Sequence, residues 1–277
     1  MSLPASLLAS RRPQPPPIRA FSDPTLSAPV NDAYSEIDPQ TLREISSEEI
    51  EEFRDYLRTI PFRYNDLEPS VLGRHLNTEA DARLFFDSSI LLAVWPVALA
   101  MVPIVRNVDL VLACENRYRR VNSSLPDTSI IMYDGNTNVG TVALIENKGP
   151  QGLRMFKNIV RPESEGRVIV TSTDWDIVTR QLRKYAEESG CQRILCSDES
   201  DAYLFVFPAD ESSEEVGFLH ASNDGNGTLT LREAVLFLIY IGINDTSRFT
   251  LRYVHTHLCP ACRVCCYLIY CSVLELC

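Results

Sequence analysis

Apolar positions fall into two rhythms along this chain. The stretch Ser46-Ser-Glu-Glu-Ile-Glu-Glu-Phe-Arg-Asp-Tyr-Leu-Arg58 puts Ile50, Phe53 and Leu57 on one face behind a serine cap, which predicts an amphipathic helix. A second helix opens at Asn77-Thr78-Glu79-Ala-Asp81 and runs through Leu84-Phe85-Phe86 and Ile90-Leu91-Leu92. Residues 108–120 then read as a strand beginning Val108-Asp-Leu-Val-Leu-Ala113. Ser129-Ile-Ile-Met-Tyr133 and Thr141-Val-Ala-Leu-Ile-Glu-Asn-Lys148 flank the turn-rich Asp134-Gly-Asn-Thr-Asn138, the pattern of a hairpin. Thr173-Asp-Trp-Asp176 resembles a capping box, with Gly190 as the residue just past the helix end. Its apolar stripe is Trp175, Val178, Leu182 and Ala186. Arg193-Ile-Leu-Cys196 and Tyr203-Leu-Phe-Val-Phe207 supply further strands, and a helix follows at Leu231–Ile241.

The hairpin carries the candidate chemistry. If its turn centres between Asn136 and Thr137, Asp127, which follows Pro126, faces Glu146. Opposed like charges weaken a sheet by up to roughly 1 kcal/mol, so a cation between them is the natural complement. Side chains alternate along a strand, so Lys148 projects to the same face as Glu146. Two carboxylates and an ammonium on one face suit Mg²⁺ or Mn²⁺, held by hard oxygen ligands, with a lysine beside the metal's water. Plainer roles stand beside these. Asp127 could start the strand after its proline, and Lys148 could be a solvated strand end before Gly149-Pro150. Glu79 suits the positive end of a helix equally well as a capping charge.

The pairing of Pro126-Asp127 with Glu146-Asn-Lys148 resembles the PD-(D/E)xK nuclease superfamily. The pattern Gln181-Leu-Arg-Lys-Tyr185 on the following helix resembles that of its Q-x-x-x-Y branch, and the resemblance covers about 77–207. It implies an α/β fold: a restriction-endonuclease-like αβββαβ core, with a mixed sheet flanked by helices and additions at both termini. It implies metal-dependent hydrolysis of phosphodiester bonds in nucleic acid, DNA ahead of RNA. Asp127, Glu146 and the Asn147 backbone carbonyl would hold the ion, and Glu79 would complete the site, through water if needed. Lys148 would orient the attacking water, and Gln181 and Tyr185 would position the nucleic-acid strand. Tyr185 borders the apolar stripe and reads equally well as a core tyrosine. The alternative is a catalytically silent nuclease fold that binds nucleic acid or protein.

Charge alters this picture only in its distribution. The net charge is −11, against binding nucleic acid through bulk positive charge, but residues 71–190 carry 14 basic and 14 acidic side chains. Basic clusters at Arg117/Arg119/Arg120, Arg154/Lys157/Arg161 and Arg180/Arg183/Lys184 could meet phosphates or be ordinary solvated surface. The organisation expected is a Pro/Ser-rich disordered tail (1–40), an accessory helix (41–70), the nuclease-like core (71–210), a strand, turn and helix extension (211–250) and a Cys-rich tail (251–277). The uncharged stretch 90–105 has 16 residues, short of the roughly 18–20 that span a bilayer, and holds Pro96 and Pro103. It reads as a buried helix. With no signal sequence read, the expected compartment is intracellular, nuclear or cytoplasmic, with Cys114, Cys191 and Cys196 as buried thiols.

Two further motifs compete. Ser222-Asn-Asp-Gly-Asn-Gly-Thr-Leu-Thr-Leu-Arg-Glu233 nearly fits a calcium loop, and a helix over 214–221 would be its test. Cys259-x-x-Cys262 with His255 and His257 has zinc-knuckle spacing, yet Cys265-Cys266 follows without the usual loop. The tail reads as poorly ordered, or as the product of a missed splice junction, ahead of zinc.

Overall fold

A computed structural model describes residues 34–60, 79–102, 108–114, 126–134, 137–150, 152–153, 156, 173–208, 215–223 and 227–245. Seven strands form one mixed sheet: β1 (Leu42–Glu44), β2 (Val108–Cys114), β3 (Thr128–Asp134), β4 (Thr137–Asn147), β5 (Arg193–Ser197), β6 (Asp201–Val206) and β7 (Val216–Ser222). Their order across the sheet is β1-β7-β6-β5-β4-β3-β2, with β1–β7 and β4–β5 parallel and the other pairs antiparallel. The helices are α1 (Ser47–Thr59), α2 (Glu79–Phe86), α3 (Leu92–Ala100), α4 (Thr173–Ser189) and α5 (Leu231–Asn244). This is the expected α/β class, a mixed sheet flanked by helices, and from α2 the chain runs through α3, the antiparallel β2, β3 and β4, then α4 and β5.

Alternation along the strands builds two cores. Ile130, Met132, Ala143, Ile145, Leu195, Leu204 and Leu219 face a layer made by α1, the α2–α3 run and α5. Leu144, Ile194, Cys196, Tyr203, Phe205 and Phe218 face α4 through Trp175, Val178, Leu182 and Ala186. Glu146 and Lys148 continue the parity of Leu144, so the α4 face carries them. Ser46 and Glu49 form the reciprocal cap of α1, and its Phe53 packs on Phe237 of α5 with ring centres 5.2 Å apart. Gly190 ends α4 at φ +68°, the left-handed backbone that glycine tolerates best. The cap at its other end lies outside the described residues.

The hairpin reaches the expected register by a different route. Asp134 pairs Thr137, which centres the hairpin one position earlier than expected. Register shifts between Met132 and Tyr133 and between Ile130 and Ile131 then each place one extra residue on β4, so that Thr128 meets Ile145 and Asp127 comes level with Glu146. The second extra residue is Val142, whose carbonyl accepts from Arg193 Nε at 2.9 Å. Gly242 of α5 lies against the same bulge: a Cβ there would stand 2.5 Å from Val142 Cγ1 and 2.6 Å from Val142 O. Helix propensity alone favours Gly242→Ala by about 1 kcal/mol, but overpacking against backbone costs about 1–3 kcal/mol. The expected result is net destabilisation of up to about 2 kcal/mol, seen as a lower urea midpoint at unchanged slope. A raised midpoint would show that the bulge yields freely.

Several expectations change. Residues 34–40, grouped above with the disordered tail, lie along α4: Ile37 is fully buried, its N–H donates to Thr179 Oγ1 at 3.2 Å, and its carbonyl accepts from Trp175 Nε1 at 2.9 Å. One buried isoleucine gives residues 34–40 a place that proline and serine content does not reveal. The boundaries at 41 and 211 also separate no independent units, because β1 and β7 complete the same sheet. Pro96 falls inside α3, and α2 joins α3 through a π-helical turn at Asp87–Leu91. The whole helical run Glu79–Ala100 is long and apolar enough to cross a membrane, but 56% of its apolar window is buried inside the protein. Residues 216–222 are strand, and Glu233 caps α5 through Thr230, so the calcium-loop reading loses both its entering helix and its last ligand. The Cys-rich tail and the clusters at 117–120 and 154–161 lie outside the described residues. Of the remaining cluster, Lys184 is buried, and Arg180 pairs with the exposed Glu36 at 2.9 Å.

Candidate metal centre

The register brings Asp127 and Glu146 side by side, and α2 delivers Glu79 over the end of β4. One oxygen from each of Glu79, Asp127 and Glu146 lies within 4.8 Å of the other two. The chain after Lys148 runs directly beneath the first turn of α2: a Cβ on Gly149 would stand in ordinary contact, 3.7 Å from Glu79 N. Asp127 and Glu146 are buried, and Glu79 is exposed, which leaves the cluster open on one side.

Each buried carboxylate is held by donors. Asp127 Oδ2 accepts the Asn147 backbone N–H at 2.7 Å. Arg83, one turn after Glu79 on α2, donates to Asp127 Oδ1 at 3.0 Å and to the Asp127 carbonyl at 2.7 Å. Lys148 Nζ donates to Glu146 Oε1 and to Gln181 Oε1, both at 2.7 Å. Gln181 Nε2 reaches Glu146 Oε1 at 3.0 Å and the Tyr185 hydroxyl at 2.5 Å. Gln181 and Tyr185 therefore fix the Lys148–Glu146 pair from α4. Tyr185 is also a core residue, as its plainer sequence reading expects.

Asn147 has two faces. Its side chain lies on the far side of the sheet, where Oδ1 accepts from Ser197 Oγ at 2.8 Å. Its backbone N–H and C=O share the side nearest Asp127, since strand geometry turns both toward one neighbour. The turn beyond Lys148 is pinned too. Asp198 Oδ2 accepts the Leu153 N–H at 3.1 Å, and at Gly152 a Cβ would lie 2.7 Å from Lys148 Cβ.

Burial dominates the electrostatics. It drives the Glu146 carboxyl up to about 7, reinforced by Asp127 and Glu79 and partly offset by Lys148. Burial also opposes the Lys148 ammonium, but the Glu146 carboxylate outweighs it and Lys148 is raised. These two tendencies compete, since Glu146 helps Lys148 only while ionised. With a second acceptor in Gln181, the lysine keeps its charge and Glu146 is the member that titrates. Cys196, the register partner of Glu146 on β5, is fully buried, and burial pushes its thiol well up. It is a neutral wall beside Lys148.

The donor set fits a hard divalent cation. The ligands are carboxylate oxygens, the hard donors that an ion such as Mg²⁺ takes, and the three lie together at one place. Sequence reasoning missed Arg83, whose signal was its spacing of four from Glu79 on one helix face. It also read Cys196 only as a core thiol and gave Asp198 no part. The chain matches no family model, no curated protein and no solved structure.

Proposed function

We propose that this chain is a metal-dependent phosphodiesterase acting on nucleic acid, built on a restriction-endonuclease-like core of the PD-(D/E)xK kind. The observation that carries the reading is the convergence of Glu79, Asp127 and Glu146 oxygens within 4.8 Å, with Lys148 Nζ fixed on Glu146. The succession from α2 to β5 supports the fold assignment.

Asp127, Glu146 and Glu79 would hold Mg²⁺ or Mn²⁺, with the Asn147 carbonyl on the adjoining side. A cation bound there supplies Lewis-acid charge to a phosphate and lowers the pKa of its water. Lys148, kept as an ammonium, serves as a fixed positive charge for a phosphate oxygen or an orienting donor rather than as a base. Gln181 and Tyr185 hold that ammonium in place, so their part in positioning the nucleic acid is indirect. The buried free thiols Cys191 and Cys196 agree with a reducing, intracellular compartment.

One observation favours the silent alternative, a nuclease fold used only for binding nucleic acid or protein. Arg83 and Lys148 already neutralise much of the carboxylate charge without a metal. Calorimetric titration of Mg²⁺ and Mn²⁺ separates the readings. Wild type is expected to bind stoichiometrically, and Asp127→Asn/Glu146→Gln to bind none while staying folded. No binding by folded wild type would overturn the proposal and leave the silent module.

A further inference from the structure

The position of Arg83 bears on how many ions such a centre takes. It shares a helix face with Glu79, and its guanidinium grips Asp127 twice, at Oδ1 (3.0 Å) and at the backbone carbonyl (2.7 Å). Its Nε lies 3.7 Å from Asp87 Oδ2 on the other side. Centres with two metals about 3.5–4 Å apart place both ions on the attacking and leaving oxygens of an in-line displacement, and carboxylates must serve both at once. To bridge two ions, Asp127 would need both of its oxygens. One of its oxygens carries the guanidinium and the other the Asn147 N–H. Glu146 Oε1 carries both Lys148 and Gln181.

Charge leads to the same place. Three carboxylates facing two fixed cations leave one net negative charge. One divalent ion turns that into one net positive charge, which suits an incoming phosphodiester. A second ion would leave three positive charges around buried groups, and uncompensated buried charge is strongly unfavourable. Counting Asp87 moves the tally by one and leaves the comparison unchanged.

We propose that Arg83 stands in for a second metal: the centre takes a single divalent cation, and the guanidinium supplies the positive charge at the far oxygen of Asp127. The inference rests on the metal-centre reading above and specifies its stoichiometry. Arg83 is thus a positioning and charge-supplying residue and not a ligand.

The test is a count of Mn²⁺ ions per chain, by calorimetry and by electron paramagnetic resonance, on the full-length protein. Wild type is expected to bind one ion, with no spin-coupled pair at saturation. Arg83→Gln removes the charge and frees Asp127 Oδ1, and a second, weaker ion with spin coupling to the first is expected. Arg83→Lys retains the charge and stays at one. Two coupled ions in wild type would overturn the inference and leave the metal centre standing. No ion in wild type would overturn the metal centre itself. One ion in both wild type and Arg83→Gln would reduce Arg83 to a tether for Asp127 and also overturn the inference. Two coupled ions in wild type, or none, decide against the inference even where a variant folds poorly.

Discussion

Lys148→Met is expected to lower phosphodiester hydrolysis by about 10²–10³-fold, the usual effect of deleting one preorganised charge aimed at a transition state. It is also expected to destabilise the metal-free protein in a pH-dependent way. Lys148 and Glu146 are both at most 5% exposed, and their bond is 2.7 Å. Removing one partner of a buried pair costs about 3–5 kcal/mol, because the other charge is left uncompensated. Gln181 still donates to Glu146, and Glu146 can escape by taking a proton, so the lower end applies. At pH 8 the loss is therefore about 3 kcal/mol. At pH 5 wild-type Glu146 is already mostly protonated, having been driven up to about 7, and the difference between wild type and variant shrinks. Urea unfolding at the two pH values measures both numbers. An equal loss at each would mean that Lys148 acts through packing of its methylenes, and the electrostatic account would fail.

The parts of this fold that the sequence displayed are those in which one periodicity dominates. Ile50, Phe53 and Leu57 fix the buried face of α1, and Trp175, Val178 and Leu182 that of α4, because a single helical stripe decides each. Asp127 and Glu146 were legible as partners for a less direct reason. The expected turn was one residue late, and two extra residues in β4 restored the pairing at the far end. A bulge has no composition signal of its own; Val142 is held out by Arg193 and Gly242, which are distant in sequence. Arg83 was missed for a related reason, since its partner Asp127 lies 44 positions away and its spacing of four from Glu79 does not by itself point to that partner. Residues 34–40 look like linker until the cleft that receives Ile37 exists. Contacts that depend on several elements at once are beyond a local reading, whereas a strand's alternation is not.

The pH dependence of stability is the other large effect, and its sign distinguishes the metal-free from the loaded protein. Glu146 titrates at its ordinary 4.5 when unfolded and at about 7 in the fold. Below 4.5 both states are protonated and the contribution is fully present. Between 4.5 and 7 the fold retains a proton that the unfolded chain has released, so stability falls as pH rises. A shift of that size corresponds to about 3 kcal/mol lost by pH 7, and little further change above it. Asp87 and Asp198, both raised mainly by burial, act in the same direction, so Glu146→Gln is the control that isolates this residue. The variant is expected to have a flatter stability profile between pH 4.5 and 7 without metal, at a lower overall stability because Lys148 loses its counter-charge. On the proposed metal centre, saturating Mg²⁺ is expected to reverse the trend in wild type, because ligation would need the ionised carboxylate and replace the proton with a cation. Metal affinity accordingly rises with pH up to about 7, releasing up to one proton from Glu146 per ion below it, which calorimetry in buffers of different ionisation enthalpy reads directly. A metal affinity that is flat from pH 5.5 to 7.5 would show that Glu146 is not a ligand, whatever its distance from Asp127.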